Sequence, residues 1–290
     1  MRSLTPPITN HVPADEPAQF AATVAAIVAR HATPDPWRPG AATSDADPAL
    51  EEALREAGWE ELGHTPALLP FVAPAAAALG RGFASLAPVD ALIGGVLKVG
   101  SLVRYPLDNA LIVEPLRGEL RVTPPGGRLT SVPYTDAIGV ARVDREPAGV
   151  PPIGPDEART RLAAWVAGST GYLAGLTEEA LRLALEHARS RRAFGGPLAA
   201  LEPVQQMLAD AATLADGLSL LAGDCPGPDA LAHAGDAAER AVVVCMQVTG
   251  ALGFTLEFPL QRAYRRSRSA RAWADAVLLA WDGHPVEVPA

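Results

Sequence analysis

Cysteine is nearly absent from this chain, and aromatic residues, surplus cations and long uninterrupted apolar runs are scarce too. The two cysteines, Cys225 and Cys245, have no His or second Cys at metal-ligand spacing, so neither a disulfide framework nor a zinc site is expected. Twenty-four Lys and Arg stand against 33 Asp and Glu, a formal charge of −9. Nucleic-acid binders and binders of anionic membranes need net positive charge to displace phosphate counterions, which argues against both classes. No run of about 18 uncharged apolar residues occurs, and the start from Met1 to Pro7 lacks the apolar segment of a signal peptide. The expectation is a cytoplasmic protein, with no nucleic-acid and no membrane partner, whose ligand is a small organic molecule or another protein.

At 290 residues and 49% hydrophobic composition, the chain can bury one substantial core and a smaller second one. Its 28 prolines gather in the N-terminal half, which points to helices joined by stiff loops. Ala18 to His31 has a helical period and ends before Pro34, Pro36 and Pro39. Asp47 or Ser44 is placed to cap a helix running through Glu51, Glu52, Arg55 and Glu56 to Gly58. Ala67 to Leu79 and Val89 to Val99 are short apolar stretches punctuated by Gly and Pro, and are predicted as packed helices.

From Leu102 to Val143 the pattern changes. The runs Ala110 to Val113, Glu119 to Thr123 and Ile138 to Val143, separated by Pro-Pro-Gly-Gly turn chemistry, predict short strands of a small sheet. Pro147 to Pro155 reads as a linker. Beyond it, Arg159 to Arg189, Val204 to Leu221, Asp229 to Thr249 and Leu260 to Trp281 predict four helices with short connections, an antiparallel bundle. The predicted organisation is mainly α: an N-terminal helical region over 1–100, a reduced β region and linker over 101–150, and a C-terminal four-helix bundle over 151–290.

Two segments carry a family resemblance. Arg191-Arg-Ala-Phe-Gly-Gly-Pro-Leu198, followed by Val204, Gln205, Leu208 and Asp210, resembles the acyl-CoA dehydrogenase signature of an Arg-x-x-Phe-Gly turn feeding a helix. Gln247 to Pro259, with Arg262 and Arg265 after it, resembles that family's Gln-x-x-Gly-Gly-x-Gly-(Phe/Tyr)-x-x-Glu-x-Pro turn. Leu54-Arg-Glu-Ala-Gly-Trp59 is a weaker N-terminal echo. Physically the pair suits a dinucleotide: Arg191 can make charge-assisted bidentate bonds to a pyrophosphate and Phe194 offers an apolar face. Gly250 and Gly253 let backbone amides approach a ligand, and Gln247 supplies an amide that donates and accepts. The resemblance implies that Arg191, Phe194, Gln247 and Gly250 bind the adenine-nucleotide half of FAD shared across a subunit interface, and hence an oligomer.

Other family features are missing. The chain has neither the Thr-Glu...Gly-Ser-Asp stretch nor the Trp-Ile-(Thr/Ser)-Asn strand of the family's middle β-domain. The family reaction also needs a carboxylate to remove the α-proton of the thioester. Counted from the matched motifs, its two alternative positions fall at Ala274 and Trp165, neither of which accepts a proton. Asp275 is adjacent to the first but about 100° round the helix. Ala193 and Ala251 replace residues more common in the family. Arg262, Arg265, Arg266, Arg268 and Arg271 could meet phosphates or form a solvated helix surface with ion pairs. No catalytic residue is assigned. The resemblance implies an FAD-dependent acyl-CoA dehydrogenase subunit that lacks its own base and partners a full-length paralogue in acting on acyl-CoA. The alternatives are a homo-oligomeric dehydrogenase with an atypical base and a non-catalytic structural or regulatory module.

Overall fold

A computed structural model describes residues 15–32, 47–105, 110–124, 128–132, 139–145, 152–224 and 226–286. Pro34, Pro36, Pro39, Ser44, Ile138, Cys225 and the linker from Pro147 to Pro151 lie outside the described residues.

Helices α1 (Glu16–His31), α2 (Pro48–Glu56), α3 (Leu69–Arg81) and α4 (Ala87–Ala91) come first, with a 3-10 turn at Trp59–Gly63. Local chemistry sets α2. The Asp47 carboxylate accepts from the Leu50 amide at 3.3 Å, Pro48 occupies the first turn, and Gly58 at φ 83° follows its end. Leu50 and Leu54, one turn apart, supply its buried face.

The predicted helix over Val89 to Val99 is corrected: after the short α4 the chain turns and enters strand β1 (Val96–Val99). Gly94 has φ 99°, which no helix continues through, and a Cβ on Gly95 would lie 2.4 Å from the Leu111 carbonyl oxygen. Strands β2 (Leu102–Arg104), β3 (Ile112–Leu116), β4 (Glu119–Thr123), β5 (Arg128–Val132) and β6 (Val140–Arg145) complete a sheet of order β4-β3-β1-β2-β6-β5. β1 and β3 run parallel, and the other pairings are antiparallel.

The bundle consists of α5 (Pro155–Ser190), α6 (Glu202–Gly223), α7 (Pro228–Thr249) and α8 (Leu260–Trp281). The fold is thus mainly α with a reduced sheet, as the sequence led us to expect. α7 and the turn after it have a window of mean hydropathy 1.2, and half of that window is buried inside the fold. Packing among the bundle helices accounts for that apolar character.

The longest helix, α5, packs against α3 from its first half to beyond its midpoint. Its contact with α3 is made of Gly and Ala: Cβ atoms on Gly175, Gly171 and Gly80 would lie 1.9, 2.2 and 2.1 Å from the carbonyl oxygens of Ala77, Ala73 and Tyr172. Only the missing side chains let the two backbones come this close. Two further ties join the parts. Arg266 of α8, 3% exposed, donates to the carbonyls of Phe83 and Ala84, the latter at 2.9 Å, and the Tyr172 hydroxyl donates to Ala84 at 2.7 Å. The Arg117 and Gly118 amides donate to Ala280 and Trp281 at 3.0 and 2.7 Å.

Candidate functional site

The first cluster is at the end of the bundle where α5 and α7 stop. α5 closes at Ser190, with the Arg191 amide still donating to the His187 carbonyl at 2.8 Å. The chain then makes a tight hairpin: Arg192 and Ala193 pair with Pro197 and Gly196, and the two residues at its tip, Phe194 and Gly195, have φ 55° and 87°. Two positive values in succession are the geometry of a two-residue hairpin turn, natural for Gly195 and uncommon for a phenylalanine. The Phe194 ring gains no internal packing in return, being 92% exposed.

α7 ends in a related way. The Thr249 hydroxyl donates back into the last turn, at 3.1 Å to Cys245 and 2.9 Å to Met246, and Gly250 leaves the helix at φ 60°, ψ −143°. That backbone conformation is essentially reserved for glycine. A Cβ on Gly253 would lie 2.3 Å from the Thr249 hydroxyl, so glycine is required there for space.

The two turns meet through His187 and Phe258, whose rings pack edge to face with centroids 6.3 Å apart. Burial, and then the nearby Arg191 guanidinium, push the His187 pKa below its usual value, so this imidazole is neutral at pH 7. Arg191, Phe194, Gln247 and Gly250 are all solvent-exposed. Phe194, Leu252, Phe254 and Leu256 are four of the eight exposed large hydrophobics among the described residues. The bundle end is therefore an apolar surface carrying exposed guanidinium and amide groups, composed like a recognition surface.

The basic run of α8 divides by position. Arg271 donates to Glu239 at 2.8 Å and lies 3.3 Å from Asp236, and Arg268 lies over the Tyr264 ring and 3.6 Å from Glu239. Arg266 is an internal strut, a role that neither sequence reading of the run anticipated. Asp275 lies half-exposed, 4.0 Å from Arg271. Its pKa is raised by burial and by Asp236, against the opposing pull of Arg271.

The second cluster lies inside, around the positions counted as those of the family base. Ala274 and Trp165 are each 1% exposed. The Trp165 indole donates to Asp90 Oδ1 at 3.0 Å, while Arg104 binds the same carboxylate through Nε at 2.7 Å and through Nη2. The Arg104 guanidinium carbon is 5.0 Å from the Trp273 ring centroid and 5.7 Å from that of Tyr105. A carboxylate does occupy this interior, but it comes from α4 and is held in an ion pair. Asp90 and Arg104 were not legible in the sequence, where nothing links residues 14 apart across a turn and a strand to a tryptophan 75 residues away.

Known proteins match part of this chain in sequence. The family described as "Acyl-CoA dehydrogenase, C-terminal domain" matches residues 158–225. Cyclohex-1-ene-1-carbonyl-CoA dehydrogenase of Syntrophus aciditrophicus (strain SB) is 34% identical over 107 residues, 32% of this chain and 26% of that protein. Residues 158–225 are thus similar to the C-terminal domain of acyl-CoA dehydrogenases. Within that family, the mitochondrial short-chain specific acyl-CoA dehydrogenase of Bos taurus is 32% identical over 113 residues, 35% of this chain and 27% of that protein. The 3-sulfinopropanoyl-CoA desulfinase of Paraburkholderia xenovorans (strain LB400) is 30% identical over 112 residues, 35% of this chain and 29% of that protein. The match thus spans little more than a quarter of the length of these curated relatives.

Similarity of fold extends much further than similarity of sequence. The ChsE4-ChsE5 complex from Mycobacterium tuberculosis superposes with a TM-score of 0.66 at 18% identity, over 92% of this chain and 95% of that one. The glutaryl-coenzyme A dehydrogenase glutaryl-CoA complex gives 0.65 at 16% identity, over 97% and 100% of the two chains. The acyl-CoA dehydrogenase fold therefore includes the N-terminal helices and the sheet.

Proposed function

We propose that this chain is a non-catalytic partner subunit of an FAD-dependent acyl-CoA dehydrogenase, completing the flavin site of a full-length paralogue. The observation that carries this reading is the bundle end, where both motif turns present Arg191, Gln247 and the Gly250 backbone beside the exposed Phe194, Leu252, Phe254 and Leu256. Arg191 suits a pyrophosphate, and the glycine-rich backbone suits the close approach of an adenine nucleotide. These groups fit one end of FAD and leave the isoalloxazine ring to another chain. When bound, FAD supplies the acceptor for the substrate hydride; the residues named here only bind and orient it.

The interior supports a non-catalytic role. Ala274 and Trp165 cannot take a proton, and the carboxylate that reaches this region, Asp90, has both oxygens engaged by Arg104 and Trp165. In the alternative of an atypical base, Asp275 is one candidate, and its carboxylate faces the Arg271 and Asp236 side of the bundle. A structural module derived from the family is the second reading, favoured by the paired state of Asp90. The heteromer named in the ChsE4-ChsE5 structure makes a dissimilar partner a reasonable expectation for this chain, with an acyl-CoA as the substrate of the assembly and a cytoplasmic setting.

The test is the visible spectrum of the chain purified alone and after co-expression with a candidate full-length dehydrogenase. Flavin bands only in the complex, reduced at least tenfold by Arg191→Ala with Gln247→Ala, are the expected result. Flavin bound by the chain alone would overturn the partner-subunit reading, and a complex whose flavin content ignores both substitutions would favour the structural module.

A further inference from the structure

A cavity of about 410 Å³ opens between α2, the Trp59–Gly63 turn, α4 and the adjoining ends of β1, β2 and β3. It is separate from the bundle end. Arg161 lines it and Arg191 closes α5, and the 30 residues between them along one continuous helix correspond to about 45 Å. Its size lies within the range of small-molecule sites.

The walls are mostly apolar, with Leu54, Trp59, Pro88, Val96 and Leu111 among them. Shape depends on two glycines. A Cβ on Gly94 would lie 1.7 Å from Arg161 Nη1, and one on Gly95 would lie 2.4 Å from the Leu111 carbonyl. Glycine at 94 thus lets the guanidinium cross this edge of the cavity, where it donates to the Ile93 carbonyl at 3.3 Å.

Every cation around the cavity is paired or neutral within the protein, while the exposed Glu60 adds a further anion to its lining. Asp90 and Arg104 neutralise one another at its buried side. Arg161 is paired with Glu157 and Arg55 with Glu52. His64 has its pKa lowered by burial and then by Arg161, so it is neutral at pH 7. Glu51 differs from these groups. Its Oε1 is enclosed and has no hydrogen-bond partner among the described residues, and burial followed by Asp47 raises its pKa. A buried oxygen left without a donor carries an uncompensated desolvation cost, and a ligand donor relieves it.

We propose that this cavity binds a neutral, mainly apolar small molecule that presents a hydroxyl group to Glu51. A free carboxylate or phosphate is disfavoured because every cation at the cavity already has an internal anion or, like His64, is uncharged. An apolar molecule without a donor would fill the walls and leave Glu51 Oε1 unsatisfied.

The proposal is tested by calorimetric titration of the full chain with three probes of one shape: 2-naphthol, naphthalene and 2-naphthoate. The expected result is saturable binding of 2-naphthol about tenfold tighter than naphthalene, with 2-naphthoate weakest. Glu51→Ala, a change on a partly exposed helix position, should bring the naphthol and naphthalene affinities together. Ala91→Phe should fill the cavity and abolish binding of both, with circular dichroism reporting whether the fold is kept. Arg191→Ala should leave naphthol binding unchanged, so that failure here is distinguishable from failure of the flavin reading. Absence of saturable naphthol binding, equal affinities in the unaltered protein, preference for 2-naphthoate, or a naphthol preference that survives Glu51→Ala would each overturn the proposal.

Discussion

Trp165 donates its indole N–H to Asp90 across 75 residues of sequence, and Arg104 closes on the same carboxylate with two further hydrogen bonds. The Arg104 and Asp90 side chains are 2% and 3% exposed, so each charge is compensated inside the protein, in large part by the other. Removing one partner of a buried pair strands the other, whereas replacing both by apolar residues of similar volume is often neutral. Asp90→Ala should therefore cost about 3–5 kcal/mol in urea denaturation. The double variant Asp90→Leu with Arg104→Met should recover most of that loss. A single-variant loss below about 1 kcal/mol would mean that the pair is hydrated in solution.

The α3–α5 seam predicts opposite outcomes for one kind of substitution. Gly175→Ala places a methyl against the Ala77 carbonyl and must push two helix backbones apart, at an expected cost of about 1–3 kcal/mol or more. Gly217→Ala, inside α6 with no atom within 4 Å of the new methyl, should instead stabilise by about 0.4–1 kcal/mol. Thermal unfolding of both variants gives the comparison, and equal signs would contradict the packing described.

Cys245 is fully buried, and burial pushes its thiol pKa up to about 12. At pH 8 it should be inert to a thiol-modifying reagent in the native protein and react only on unfolding. The sign for stability follows from protons bound. Between the unfolded thiol value near 8.5–9 and the folded value near 12, the native state retains the proton and the unfolded state releases it. This contribution to stability is thus present at neutral pH and is lost as pH rises through that window.

Phe194 and Phe254 are exposed by 92% and 66%, so polar substitution removes little intramolecular packing. Phe194→Ser with Phe254→Ser should leave the melting temperature within about 2 °C, a ΔΔG of under about 0.5 kcal/mol. Self-association or capture of a dehydrogenase partner should weaken at least tenfold in sedimentation or pull-down measurements. A large melting shift with unchanged association would place both rings in the fold itself.

The helices of the C-terminal half were legible because their apolar residues recur at helical spacing and their ends carry Pro and Gly signals, as at Pro203 and Gly250. The strand Val96–Val99 was misread as helix because a short buried strand and a buried helix segment look alike in periodicity. The decisive signal was local, in Gly94 and Gly95. Strands Leu102–Arg104 and Arg128–Val132 are too short or too weakly alternating to register alone; pairing with Val140–Arg145 defines them. At the bundle end, the motif residues could be picked out from the sequence by chemical type and are exposed in the fold, while the meeting of their two turns through His187 and Phe258 depends on tertiary structure. The interior network was invisible for the same reason, since Asp90, Arg104 and Trp165 belong to three separate elements.

The β3–β4 turn has a mechanical consequence. Its two residues, Arg117 and Gly118 with φ 53° and 77°, donate their amides to carbonyls of the last α8 turn, groups that no residue inside that helix can satisfy. The sheet thus acts as the stopper of the final helix. Load applied to the chain's tail would be transmitted first to the hairpin and through β3 to β1, so these two amides should exchange with solvent as slowly as the bundle, far more slowly than a surface loop.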